Sequence, residues 1–194
     1  MTKTVNVIIT LIIITSSLLL SNVVSLSPKF LSQAQTEFLN YENKDFGFSI
    51  KYPSDWTKEE ESTSKSSNVN IVVSFIKQNG SQLQTEADLY IRTEDFLGKN
   101  ITLEEFARLQ KAYTSSLLAV SSFNESKIVI GNKSAWQIEY NFKGIGGTNR
   151  LGINSLIIND DMGYSIVFTV DKEKHDKYLS IAQKMIDSFQ IGTK

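Results

Sequence analysis

The chain of 194 residues holds one histidine, His175, and no cysteine. Without cysteine it has no thiolate for nucleophilic attack or metal binding and no disulfide scaffold. It also lacks the lipid acceptor of a bacterial-type lipoprotein. His175 falls one turn before Tyr178 and Leu179, at the margin of an apolar stripe, where a lone histidine reads as a boundary residue. No G-x-S-x-G elbow supplies a nucleophile for it to serve. The glycine cluster is KGIGGTNR, with Gly144, Gly146 and Gly147. It lacks the P-loop spacing and stands between two expected strands, so a hairpin explains it better than a phosphate cradle. Asn159-Asp160-Asp161 is a fragment of a calcium loop without its distal glutamate, and Glu59, Glu60 and Glu61 form a run rather than a converging set. A hairpin turn and a solvated face account for them. Paired carboxylates for glycosidic chemistry would have to meet in space, and nothing in the sequence marks any pair. We therefore assign no catalytic, cofactor-binding or metal-ligating residue. Four N-x-S/T sequons remain, at Asn79, Asn100, Asn124 and Asn132. They fall at expected turns or a helix start, where an exported chain carries glycans in a cell that glycosylates.

The elements that position these residues begin with an apolar amino terminus. Lys3 is followed by an uncharged run over residues 4–28, with VNVIITLIIITSSLLL at 5–20. A basic start, an apolar middle and small residues beyond it fit a secretory signal. Ser32-Gln33-Ala34 offers a small-x-small site before Gln35, and Val23-Val24-Ser25 a weaker one. The expected mature chain begins near Gln35, with Leu26 and Pro28 as the secondary starts. The competing reading is an uncleaved anchor, since a spanning helix needs about 20 apolar residues. Membrane association would then run through residues 5–26 alone. Cleavage after Ala34 removes Lys3 and Lys29 and no acid, which takes the net charge from −1 to −3. Such a surface does not suit nucleic acid, whose phosphates need a clustered basic face. The roughly 160 residues that remain are enough to build a core without disulfides.

Residues 35–45, QTEFLNYENKD, read as a lead-in, and the domain proper as 46–192. FGFSIKYPSDW opens it: Phe46, Phe48, Ile50 and Tyr52 alternate with polar positions, Pro53 ends the strand and Trp56 follows the turn. Residues 58–68 read as a solvated loop or frayed edge. Further strands are expected at 70–77, 86–94, 127–131, 134–143, 149–159 and 163–170. Thr102 and Glu105 make a T-x-x-E capping box, and Phe106, Leu109, Tyr113, Leu117 and Val120 form the stripe of a first helix. The last segment has Asp171 as its N-cap and Tyr178, Ile181, Ala182, Met185, Ile186 and Phe189 as its buried side. Alternation places Trp136, Ile138, Tyr140 and Phe142 on one face. Phe48, Ile50, Trp136 and Tyr140 are expected in a single core, with Trp56 at its edge. The class is α+β, a central antiparallel β-sheet with helices covering it.

FGFSIKYPSDW, TLEEFARLQ, SAWQIEYNF and IAQKMIDSFQI occur in the order seen in PsbP-like domains. Over roughly residues 40–192 the sequence resembles the PsbP family, whose fold is shared with the Ran-binding protein Mog. The resemblance implies a sandwich in which helices flank both faces of the sheet. It rests on core residues, so it speaks to fold and says little of function. The family's photosynthetic role is not carried over, because that role depends on an amino-terminal extension whose place is taken here by the apolar segment and QTEFLNYENKD. Calcium or manganese binding is an expectation of the family name alone, and its ligands have no counterpart in this sequence. The function expected is a non-enzymatic, exported binding or accessory domain at the outer face of a membrane. Its partner is an unknown envelope or membrane protein; the alternative is a solute-binding module or an unrecognised hydrolase.

Overall fold

The computed structural model describes residues 36–61, 68–80 and 85–192. The apolar amino-terminal segment lies outside them, as do its cleavage sites. Among the described residues no helix is long and apolar enough to cross a membrane. In chain order the elements are β1 (Phe38–Asn43), β2 (Phe48–Pro53), β3 (Thr57–Glu60), β4 (Val69–Gln78) and β5 (Thr85–Asp95). There follow α1 (Leu103–Leu117), β6 (Val120–Ile130), β7 (Lys133–Lys143), β8 (Asn149–Asn159) and β9 (Met162–Asp171), then α2 (His175–Asp187) and β10 (Gln190–Ile191). All pairings are antiparallel. Seven strands form one sheet in the order β3-β4-β5-β9-β8-β7-β6, and β1-β2-β10 form a small second sheet. An α+β domain dominated by antiparallel strands is what the sequence pattern calls for.

The stretch read as a lead-in is a strand. Residues 38–43 pair along β2 from Phe38 opposite Pro53 to Asn43 opposite Phe48. Tyr41 sends its ring into the core, 5.9 Å from Phe75 and 6.0 Å from Phe48. Tyr41 is its one fully buried residue and Phe38, three positions earlier, is partly buried against the same core, a spacing that leaves almost no alternation to read. The turn into β2 needs Gly47 at φ +64°, a conformation that costs glycine little. The Tyr164 hydroxyl, donating to the Phe46 carbonyl at 2.9 Å, ties that turn to the large sheet.

β9 is buried at eight consecutive positions, Gly163 to Val170. Successive strand residues point to opposite faces, so this strand is covered on both. The buried apolar residues fall into two clusters. The larger gathers Phe48, Ile50, Trp56, Phe75, Leu89, Ile157, Phe168, and Tyr178, Ala182, Met185 and Ile186 of α2, closed by Phe189. The smaller holds Phe106 and Ala107 of α1 with Phe96, Ile138, Tyr140, Phe142 and Leu156. Leu156 and Ile157 are neighbours on β8 and belong to different clusters.

The expected single core is therefore two. Phe48 and Ile50 are in the larger cluster, with Trp56 packed edge-on against Tyr178 at 6.1 Å. Tyr140 is in the smaller one, and Trp136 only borders it, half-buried. Alternation assigns a residue to a face, but it does not say which face of which sheet two distant strands share. The stripe on α1 needs correction too. Phe106, Ala107 and Gln110 are its buried residues, whereas Leu109, Tyr113 and Leu117 are exposed, Leu117 to 63%. At the last helix, Asp171 makes no side-chain cap; a short 3-10 turn, Lys172–Lys174, precedes α2.

Truncating Phe48 to alanine should cost about 3–5 kcal/mol, the usual loss for a buried aromatic. Trp136→Ala should cost about 1 kcal/mol, as for an average position. Thermal melts of the two variants check the split; equal losses would mean that Trp136 belongs to the core.

Candidate functional site

α1 begins at Thr102, whose hydroxyl accepts the Glu105 N–H at 3.1 Å. The Glu105 carboxylate does not close the capping box and turns instead to Arg108, 3.6 Å away. The helix packs on β7 and β8, and its flank toward β6 leaves an open groove of about 590 Å³. Thr102, Glu104, Glu105, Arg108 and Lys111 line it from the helix, with Glu125 of β6 and Trp136 of β7. Lys127 and Trp136 are opposite each other across the two strands, and Glu125 is opposite Ile138.

Two side chains hold Trp136, and a third holds one of them. Its Nε1–H donates to Glu125 Oε2 at 3.0 Å. The Lys111 ammonium holds the other oxygen of that carboxylate at 2.5 Å. Lys127 Nζ lies 5.3 Å from the indole centroid, within cation–π range. The Lys111 ammonium, helped by the indole N–H, holds the Glu125 carboxyl below the usual range. A half-exposed tryptophan with a fixed ring, bordered by acids and bases, has the make-up of a recognition surface.

Elsewhere the buried charges are engaged with one another. Arg150 donates to Asp88 Oδ1 at 2.9 Å, to Asp171 Oδ1 at 3.2 Å, to Thr169 Oγ1 at 2.7 Å and to the Thr85 carbonyl at 3.1 Å. Burial pushes the Asp88 carboxyl up even so, against the pull of Thr169 and Arg150. Beneath α1, Arg92 donates to Gln110, which donates to Glu94 at 3.1 Å, and the guanidinium lies 4.5 Å from the centre of the Tyr113 ring. Burial raises the neighbouring Tyr90 phenol to about 12. A third set joins Glu86 to Lys174 at 2.7 Å, to Lys177 at 3.5 Å and to the Tyr178 hydroxyl. These are ties between strands and helices, and they hold the framework behind the groove.

The family profile described as PsbP-like protein matches residues 5–191. The chain belongs to that family. Among solved structures it is similar to cyanobacterial PsbP (CyanoP) from Synechocystis sp. PCC 6803, with a TM-score of 0.60 at 14% identity, over 82% of this chain and 95% of that one. LpqN of Mycobacterium tuberculosis, described as involved in cell envelope biogenesis, gives a TM-score of 0.56 at 12% identity, over 82% and 92%. The Ran-binding protein Mog1p of Saccharomyces cerevisiae gives 0.52 at 10% identity, over 81% and 96%. Comparison with curated proteins finds no match. At these identities the likeness is one of fold.

In this PsbP-like chain the residues singled out by sequence stay apart. His175 opens α2, its Nδ1 3.1 Å from Asp176. Gly146 and Gly147 adopt φ +74° and +78° in the β7–β8 hairpin, and Asp160-Asp161 turn β8 into β9, with Asp160 at φ +53°. Among the described residues no cluster of acids and histidine is arranged to hold a metal. Asn79, Asn100, Asn124 and Asn132 are all exposed. Asn124 lies within β6, not before it, because that strand starts seven residues earlier than its apolar run at 127 suggests. For the same reason Glu125 was unreadable as a groove residue. The alternation across β6 and β7 was the signal that could have found it.

The Glu86 carboxyl is lowered to about 2 from 4.5, first by Lys174 and then by Tyr178. A lowered folded-state pKa stabilises the fold above the unfolded value and loses that effect as the pH falls. Glu86→Gln should therefore melt lower than the wild type at neutral pH, by the equivalent of about 1.5 kcal/mol. The gap should close between about pH 4.5 and pH 2. Melting curves across that window check the sign; a constant gap would mean that Glu86 acts through packing.

Proposed function

We propose that this PsbP-like chain is an exported, non-enzymatic accessory module that binds another protein at the outer face of a membrane. The observation that carries the reading is the groove beside α1, where Trp136 stands half-exposed, with its ring held by Glu125 and Lys127. Family membership supports it, as do fold relatives whose names give a Ran-binding protein and an envelope biogenesis protein. Export rests on the uncharged run at residues 4–28 behind Lys3. The architecture is read as a sandwich with one helix on each face of the seven-stranded sheet. Its support is that Leu156 and Ile157, adjacent on β8, lie in clusters that contain different helices.

A second reading, a solute-binding module, draws on Asn154 and Ser165. Both are buried, and their Oδ1 and Oγ atoms lack a partner among the described residues. A small polar molecule beneath α1 would satisfy them.

A photo-crosslinking residue at Trp136, introduced into the chain in its own host, should capture a discrete envelope protein. The same residue at Leu39, exposed on β1, should not. Trp136→Ala should abolish co-purification of that protein while the melt stays close to that of the wild type. Turnover of a generic ester, phosphate or glycoside substrate, lost on one point substitution, would overturn the non-enzymatic reading. Intact mass and fractionation of the native protein test export, with a start near Gln35 expected.

A further inference from the structure

We propose that β6 pairs with β6 of a second copy of this chain, antiparallel about a two-fold axis through Ser126, joining two seven-stranded sheets into one. The inference goes beyond the proposed role of the groove and does not rest on it. β6 is the outer strand of its sheet and runs for eleven residues, whereas β3 at the other edge has four. A long edge presents a row of main-chain donors and acceptors ready to pair.

The hairpin at Gly131-Asn132 sets which residues those are. Ile130 is opposite Lys133 across a two-residue turn with Gly131 at φ +60°, so that pair bonds inward to β7. Alternation then turns the main-chain groups of Phe123, Glu125, Lys127 and Val129 outward. With the axis at Ser126, Glu125 meets the second copy's Lys127, and Lys127 meets the second copy's Glu125. On the same face Phe123 meets the second copy's Val129, and Val129, now 68% exposed, meets the second copy's Phe123. Opposite charges and apolar pairs placed across strands are what stabilise a sheet.

No nearby register does this. An axis at Glu125 or at Lys127 sets like charges face to face. An axis at Asn124 puts Phe123 against the second copy's Glu125, and one at Ile128 puts Lys127 against the second copy's Val129. A lysine on an edge strand ordinarily discourages pairing, yet here its counter-charge is built in two residues away. The match is self-complementary, as a two-fold interface requires.

The test uses the full chain, made in a host that does not glycosylate and kept in a non-ionic detergent, with its mass read by sedimentation equilibrium. The wild type should show a two-copy mass. Glu125→Lys and Lys127→Glu should each weaken the pairing about tenfold or more by setting like charges opposite one another. Mixing the two variants should restore a two-copy particle containing one of each, which a folding defect would not produce. Because the chain has no cysteine, Ser126→Cys gives a unique thiol. Directly opposite residues in a non-bonded pair are about 4.5 Å apart at Cα, within disulfide reach, so oxidation should join two copies. Asn124→Cys should not join them. A one-copy mass for the wild type overturns the proposal, including the case in which the edge takes a strand from a different protein. So do two-copy single variants, or cross-linking at Asn124→Cys in preference to Ser126→Cys.

Discussion

The structure depends on the burial of β9 on both faces. Eight consecutive buried residues from Gly163 to Val170 mean that the sheet needs apolar cover on each side, so the chain needs two clusters. The small sheet and α2 contribute to one cluster, and α1 with Phe96 to the other. This constraint explains why segments from both ends of the domain return to the same cluster: β1 and β2 come from the start, and α2 and β10 from the close. β10 pairs with β2 through Gln190 opposite Ser49 and Ile191 opposite Phe48, and the Lys51 N–H donates to Ser188 Oγ at 2.8 Å. The two ends of the domain are bound to each other by main-chain bonds, not only by packing.

Because β9 at the centre of the sheet is buried along its length, the accessible polar groups lie at the sheet's margins. The buried charges are spent on holding strands and helices together, as Arg150 does for Asp88, Thr169 and Asp171. The Arg150 guanidinium, so engaged, has little left for a ligand. At the β6 margin the balance changes. Glu125 is shared between Lys111 and Trp136, and the strand's outer main-chain edge is unpaired within the sheet. The β6 margin thus combines a polar rim with a fixed aromatic, the features on which the proposed binding role rests.

The exposed stretch of α1 follows from the same geometry. Phe106 and Ala107 press on the sheet and Gln110 turns inward to Arg92, whereas Tyr113 stacks over the Arg92 guanidinium and Leu117 is left uncovered. An apolar stripe of helical period says that a helix is amphipathic. It does not say how far along the stripe the sheet extends.

Sequence by itself determined the elements with a local period: β2 from Phe48 to Tyr52, the capped start of α1 at Thr102, the hairpins at Gly131, Gly144–Thr148 and Asp160, and the buried side of α2 from Tyr178 to Ile186. In each, neighbours along the chain carry the signal, through alternation, a cap or a residue suited to positive φ. It also ruled out thiol chemistry, since that is a matter of composition. Tertiary structure alone decided that 38–43 is a strand, because six residues with one fully buried position, Tyr41, show no alternation of their own and are ordered by pairing with β2. It alone divided the expected core in two, since which face of a sheet a strand presents is fixed by its neighbours in space. And it alone brought Lys111 of α1 to Glu125 and Trp136, since nothing in the chain says on which strands the helix packs.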